Sequence, residues 1–230
     1  MRAPLPLCFD IPAYFRHKPC RSFYRFFAGG THVTQDDIMK EFEAAGAILR
    51  GHFILSSGLH SDTYLQCARV LMEPKRSEHI CKILADRIRR TGSGSKIDMV
   101  ASPAMGGVIV GYEVGRQLGV PAIFCERVDG KFAIRRGFSV PEGARVLLVE
   151  DVVTTGKSSR EAIDCIEAAG GKVVAGACLI NRSGGNPLNT PLVSLVELDI
   201  QTYTDEELPF ELAKVPAEKP GSRWIKSAAS

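Results

Sequence analysis

At 230 residues, 45% of them hydrophobic and 24% charged, the chain has the composition of a globule with room for a substantial core, and no apolar run approaches the ~20 residues that span a bilayer. Seven scattered cysteines (Cys8, Cys20, Cys67, Cys81, Cys125, Cys165 and Cys178) form no Cys-x-x-Cys pair, which argues against a disulfide framework and fits small buried hydrophobes in a reducing, cytoplasmic setting. Residues 1–33 set Arg2, Arg16, Lys18, Arg21 and Arg25 against Asp10 alone, a net +4, so a chain of total charge +3 leaves −1 for its body and no footprint for nucleic acid.

Those first 33 residues are rich in Pro, Phe and Arg and show no sustained period. They read as an extension, disordered or not part of the working protein; an Arg-bearing, acid-poor targeting segment is the other reading. Regular patterning begins at Thr34, where Thr34 and Asp37 approximate a capping box and Ile38, Phe42, Ala45 and Leu49 follow at helical spacing. Residues 53–69 read as short strands around a Ser-Gly turn, Pro74 opens a helix carrying Ile80, Ile83, Leu84 and Ile88, and 91–95 is a turn. Strands are predicted over 97–101, 121–126, 145–149, 172–180 and 193–198, with helices over 108–118, closed by Gly119, and 157–169, closed by Gly170 and Gly171. Short apolar runs alternating with helices imply a largely parallel sheet covered on both faces, an α/β fold. Such sheets bind ligands beyond the carboxyl ends of their strands, which singles out the segments 102–107, 127–137 and 150–158.

The last of these carries the strongest signal. The apolar run Val146–Val149 ends in Glu150 and Asp151, then Val152, Val153, Thr154, Thr155, Gly156, Lys157 and Ser158 lead into a helix. Carboxylates at a strand end suit a sugar diol, and backbone N–H groups at a helix start suit a phosphate. A nucleotide P-loop requires glycine five residues before its Gly-Lys pair; Asp151 stands there and would repel a triphosphate.

The segment resembles the phosphoribosyl-diphosphate signature of type I phosphoribosyltransferases. Residues 51–61, with Ser56, Ser57 and Gly58, followed by Tyr64 to Arg69, resemble the N-terminal part of orotate phosphoribosyltransferases, and the stretches at Arg135–Phe138 and Asn181–Gly185 match one bacterial branch. The likeness spans roughly 34–205, and members of that branch begin near Thr34. It implies a type I fold, a largely parallel central sheet flanked by helices with a small N-terminal hood of helix and short strands, and a single enzyme domain over 34–230. The implied reaction moves ribose 5-phosphate from 5-phosphoribosyl 1-diphosphate (PRPP) to orotate in the route to UMP.

The resemblance also implies roles. Glu150 and Asp151 accept hydrogen bonds from the ribose 2- and 3-hydroxyls, and residues 154–158 wrap the 5-phosphate, with Thr154 also near orotate. Arg127 and Lys131, on a mobile loop 127–137 that acts on the partner subunit of a homodimer, contact diphosphate, Lys131 neutralising or protonating the leaving group. Arg182 grips the orotate carboxylate. Mg²⁺ is held mainly by substrate, with no direct protein ligand set; His52 and His60 read as structural or loop residues. Better-known enterobacterial relatives carry lysines where this chain has Ser56 and Met105, with Arg135 and Arg136 as candidates to compensate. Two alternatives stand beside this reading. A phosphoribosyltransferase for another base is disfavoured because a neutral purine offers Arg182 no carboxylate. A PRPP-sensing regulator lacks its expected DNA-binding module.

Overall fold

The computed structural model describes residues 33–55, 57–92 and 96–220. Expectations for the N-terminal extension (apart from Val33), for Ser56 and for residues 93–95 fall outside the described residues. Residues from Val33 onward cluster as one unit.

Helix α1 (Gln35–Ala44) opens with a complete capping box, Thr34 and Asp37 exchanging side-chain and backbone hydrogen bonds, and buries Ile38 and Phe42. The helical spacing that ran on to Leu49 is cut short: the helix caps at Ala45, and Leu49 instead lies in strand β1 (Ile48–Ile54), opposite Tyr64 of antiparallel β2 (His60–Leu65). The hood is thus α1 and one hairpin, followed by a short helix α2 (Cys67–Leu71) that the sequence pattern did not suggest. Helix α3 (Pro74–Arg90) starts at its proline as expected.

The remaining strands are β3 (Met99–Pro103), β4 (Ala122–Val128), β5 (Lys131–Ile134), β6 (Arg145–Val153), β7 (Lys172–Asn181) and β8 (Leu192–Glu197), joined by helices α4 (Gly107–Leu118) and α5 (Lys157–Ala168). They form a six-stranded sheet of order β5-β4-β3-β6-β7-β8, all parallel except β5. One face packs on α3 and α4 through Val100, Leu147, Val149, Ala177 and Leu179, and the other on α5 through Ala101, Val146, Leu148, Ala162 and Ile166. Alternate residues of β6 therefore feed opposite cores, the period-2 consequence of a strand buried on both sides.

Helix α4 carries glycine at every fourth position of one face, Gly107, Gly111 and Gly115. A Cβ at Gly111 would lie 1.8 Å from Ser102 Oγ and one at Gly115 would lie 2.8 Å from Ala122 Cβ. Glycine costs a helix about 1 kcal/mol per position; here it lets the helix close directly on the sheet. Chain order reverses direction between β3 and β6, so the loops after these two strands diverge and open a crevice at their carboxyl ends.

Two boundary expectations need correction. Strand β6 does not stop at Val149. It runs through both acids to Val153, because β7 continues alongside it and pairs Glu150 with Cys178, Val152 with Ile180 and Val153 with Asn181. The segment 127–137 is not an open loop between strands either. Arg127 ends β4 and Lys131 begins β5, joined by a two-residue turn at Asp129 and Gly130, both with positive φ (50° and 83°), the Asp-Gly form of hairpin whose twist suits the flanking strands.

The chain after β8 returns to the hood. Tyr203 bridges His60 and Glu218 bridges Phe53. A chain of contacts runs through two buried imidazoles to an exposed carboxylate: His52 Nδ1 lies 2.8 Å from Val215 O, His52 Nε2 lies 2.6 Å from His60 Nδ1, and His60 Nε2 lies 2.7 Å from Asp205 Oδ1. Both imidazoles are consumed in holding the hairpin to the segment that follows the sheet. A four-residue helix α6 (Phe210–Ala213) lies in that segment. No helix among the described residues is long and apolar enough to cross a membrane.

Candidate active site

The crevice is floored by the acids of β6. Since β6 remains a strand through them, Glu150 and Asp151 lie on opposite faces. Glu150 is buried on the α5 side, where Ser159 Oγ donates to its Oε1 at 3.0 Å. Asp151 lies on the α4 side, beneath the turn that follows β3: a Cβ at Gly106 would stand 2.6 Å from its Oδ2, so only glycine lets that turn pass over the carboxylate. Val152 N–H donates to Asp151 Oδ1 at 2.9 Å. The pair thus straddles the strand rather than standing side by side.

Burial dominates the chemistry of both groups. It pushes Glu150 up to about 8, with the neighbouring Asp151 charge adding to the rise while the Ser159 hydrogen bond and Arg127 oppose it. Asp151 is also raised by burial, against the pull of the backbone N–H groups. Two desolvated carboxyls in one crevice favour a partner that brings hydroxyl donors or positive charge.

The phosphate cradle follows. Thr154 and Thr155 are exposed, Gly156 is buried in the left-handed region at φ 70°, and α5 begins at Lys157, whose N–H donates to Thr155 Oγ1 at a long 3.4 Å, the N-cap Gly156 having no side chain to cap the turn. A Cβ at Gly156 would meet Pro187 at 2.8 Å, so both backbone conformation and space require glycine. Arg160 fixes the outer wall by donating to Thr155 O at 3.0 Å and Pro187 O at 2.8 Å. N–H groups at a helix start that lacks an N-cap side chain, next to hydroxyls, present the donors an anion takes. Lys157 and Ser158 are exposed on the first turn.

Arg182 lies just beyond β7, its backbone N–H donating to Val153 O at 2.7 Å. The guanidinium is half-buried and its Nε has no hydrogen-bond partner. Burial lowers its pKa, while the nearby Tyr64 phenol works in the opposite direction. Tyr64, on β2 of the hood, is itself raised by burial and then by Asp151, while Arg182 lowers it. Tyr64 is therefore close enough to feel the charges of both Asp151 and Arg182. Tyr64 stood inside a recognised stretch but carried no assigned role; only the packing of the hood over the crevice reveals it.

The hairpin candidates are brought only partly to the site. Arg127 is tied to α5, its Nη2 2.5 Å from Glu161 Oε2 and 3.5 Å from Ser158 Oγ, whereas Lys131 is exposed at the start of β5. Arg135 and Arg136, the candidates to replace missing lysines, both pair with Glu126, at 3.7 and 2.8 Å. Met105 is exposed in the turn beside Gly106. Cys67, Cys81, Cys125, Cys165 and Cys178 are free, and burial raises every one of these thiols, Cys125 to about 12, so none supplies a thiolate nucleophile at neutral pH. Among the described residues no group of three or more His, Cys, Asp or Glu side chains is placed to hold a metal. Glu150 and Asp151 are oxygen donors of the kind Mg²⁺ would accept directly or through water.

A family model described as phosphoribosyl transferase domain matches residues 70–202, which include every strand of the main sheet. Over 194 residues the chain is 56% identical to the orotate phosphoribosyltransferase of Parvibaculum lavamentivorans, covering 84% of this chain and all of that protein. The chain belongs to the orotate phosphoribosyltransferase family. The corresponding protein of Sphingopyxis alaskensis is 55% identical over 195 residues, 84% of this chain and 99% of its own length. Among solved structures, orotate phosphoribosyltransferase from Aeropyrum pernix superposes with a TM-score of 0.59 at 26% identity, over 70% of this chain and 93% of that one. An adenine phosphoribosyltransferase from Thermoanaerobacter pseudethanolicus shares the fold at a TM-score of 0.51 and 20% identity, over 59% of this chain and 88% of its own. That likeness extends to the fold alone.

Proposed function

We propose that this protein transfers ribose 5-phosphate from PRPP to orotate, giving orotidine 5′-phosphate and diphosphate in de novo UMP formation. The observation that carries this reading within the family is Arg182: a half-buried guanidinium with an unpartnered Nε, sharing the crevice with Tyr64 and Asp151. A carboxylate-bearing planar base answers that geometry, the carboxylate pairing with the guanidinium. In this reading Thr154, exposed at the start of the cradle, also meets the base.

In this reading the 5-phosphate sits on the backbone of residues 154–158, and the ribose lies across the end of β6. Straddling carboxylates then take one hydroxyl each. As the C1–diphosphate bond breaks, its electron pair leaves with the diphosphate, and positive charge develops on the sugar above Asp151 and Glu150. Orotate N1 closes on C1 from the Arg182 side. Preorganised electrostatics carry such a step without a covalent intermediate on the protein. Bound Mg²⁺ would screen the diphosphate charge. Arg127 and Lys131 supply protein cations to the leaving group, and the 127–137 hairpin reaches the partner subunit of a cytoplasmic homodimer. Residues 34–230 constitute the enzyme.

The test is loss of orotate ultraviolet absorbance with PRPP and Mg²⁺, alongside product assays with adenine, hypoxanthine and uracil. Consumption of orotate alone, dependent on Mg²⁺, supports the reading; turnover of another base removes Arg182 from its role. Lys131→Ala is expected to lower kcat by tenfold or more while PRPP affinity changes less, as a group acting on the leaving diphosphate requires.

A further inference from the structure

Arg127 is held on several sides by its own chain. Nη1 donates to Gly130 O across the hairpin turn at 2.7 Å, and the guanidinium carbon lies 4.2 Å from the centroid of the Phe132 ring. Nη2 is shared between Glu161 Oε2 at 2.5 Å and Ser158 Oγ at 3.5 Å. Two of these contacts, with Gly130 and Phe132, lie within the hairpin and travel with Arg127 if the hairpin moves. The other two cross to α5, and Glu161 is the only carboxylate among them.

We propose that Glu161 is a positioning residue, which parks Arg127 against the first turns of α5 and must release it before Arg127 can meet the phosphate oxygens of PRPP. This rests on the reading of Arg127 as a PRPP contact. The physical case is competition for one donor. A guanidinium nitrogen already bonded to a carboxylate at 2.5 Å cannot donate the same hydrogen to a phosphate, and the carboxylate charge, so close, also repels the incoming anion. Glu161 is held below its ordinary carboxyl range chiefly by the Arg127 hydrogen bond, so it is a full anion at neutral pH. Both side chains are 37% exposed, which makes the pair weak enough to exchange. Exposed pairs of this kind correspond to roughly two- to fivefold in an equilibrium. The Gly130 and Phe132 contacts keep the guanidinium shaped for a ligand while the carboxylate is exchanged, so release needs no rebuilding of the hairpin.

The experiment is a double-mutant cycle on the full-length enzyme in steady-state orotate turnover. Glu161→Gln is expected to lower the PRPP KM about two- to fivefold, a larger change than any in kcat, and Glu161→Asp, which restores the charge, is expected to return KM toward the unmodified value. With Arg127→Ala already present, Glu161→Gln should leave KM where Arg127→Ala puts it. A KM that is unchanged or raised in Glu161→Gln overturns the proposal. So does a lowering that persists without Arg127, since it would report the helix charge alone. Absence of PRPP turnover in the unmodified protein would instead overturn the functional reading on which the inference stands.

Discussion

The crevice and the hood of this protein are held together by different physics. Around the crevice, position is set by backbone. The β6–β7 ladder carries Glu150 and Asp151 to their places, and Gly106 and Gly156 admit close approaches that any side chain would block. The hood adds side-chain links to its backbone pairing: two isolated bridges join the hairpin β1–β2 to residues 203–218 through backbone hydrogen bonds, and the chain from Val215 through His52 and His60 to Asp205 spans the same seam through side chains. A ladder distributes its hydrogen bonds over many residues and tolerates the loss of one side chain, whereas a chain of single links fails at any link. The crevice is therefore where side-chain substitutions should change chemistry without loosening the fold, and the hood is where they should loosen it.

The sharpest test of that contrast is Asp151→Asn. It keeps shape and the bond from Val152 but removes charge, so kcat should fall about 10²–10³-fold with little change in melting temperature; an equal loss of both would mean the carboxylate is structural. Arg182→Ala should raise the orotate KM about 10- to 100-fold, the scale of a lost hydrogen bond to a charged group, while PRPP KM moves little. An unaltered orotate KM would take Arg182 out of the base site. His60→Ala should reverse the pattern. It leaves the buried His52 Nε2 without its partner, while the exposed Asp205 returns to water, and should cost about 1–3 kcal/mol of stability, read by denaturant unfolding, with a smaller effect on turnover by the folded fraction.

The last expected effect concerns pH. The Glu150 carboxyl is raised from its ordinary 4.5 to about 8, so the folded state holds this proton more tightly than the unfolded chain. Its contribution to stability is fully present below about 4.5 and is lost as pH rises through about 8. Melting temperature of the ligand-free protein should decline across that window, and Glu150→Gln should flatten the decline. A profile identical in the two proteins would show that Glu150 is not the group responsible.

Much of the fold was legible in the sequence because it is written locally. The Thr34–Asp37 box, Pro74 at a helix start, Gly119 in the left-handed region closing α4 and the apolar strand runs each follow from a few adjacent residues, and the structure places them accordingly. The cradle motif was equally local, which is why Gly156 and the start of α5 fall where the pattern put them. What local pattern missed is where one element borrows from another. The helical spacing reaching Leu49 lost to pairing of β1 with β2, and the acids, read as a strand end, became strand because β7 extends beside them.

By itself, then, the sequence determined the alternation of helix and strand, the phosphate-cradle motif and the family resemblance, since periodicity, turn chemistry and motif spacing are properties of neighbouring residues. Only the tertiary structure decided that Glu150 and Asp151 face opposite sides, that Tyr64 comes near enough to feel the charges of Asp151 and Arg182, that His52 and His60 clasp the hood to a segment 145 to 163 residues away, and that Arg127 rests on Glu161, 34 residues along the chain. These depend on strand pairing and on the packing of the hood against the sheet, and such contacts between distant residues leave no period in the sequence for a local reading to find.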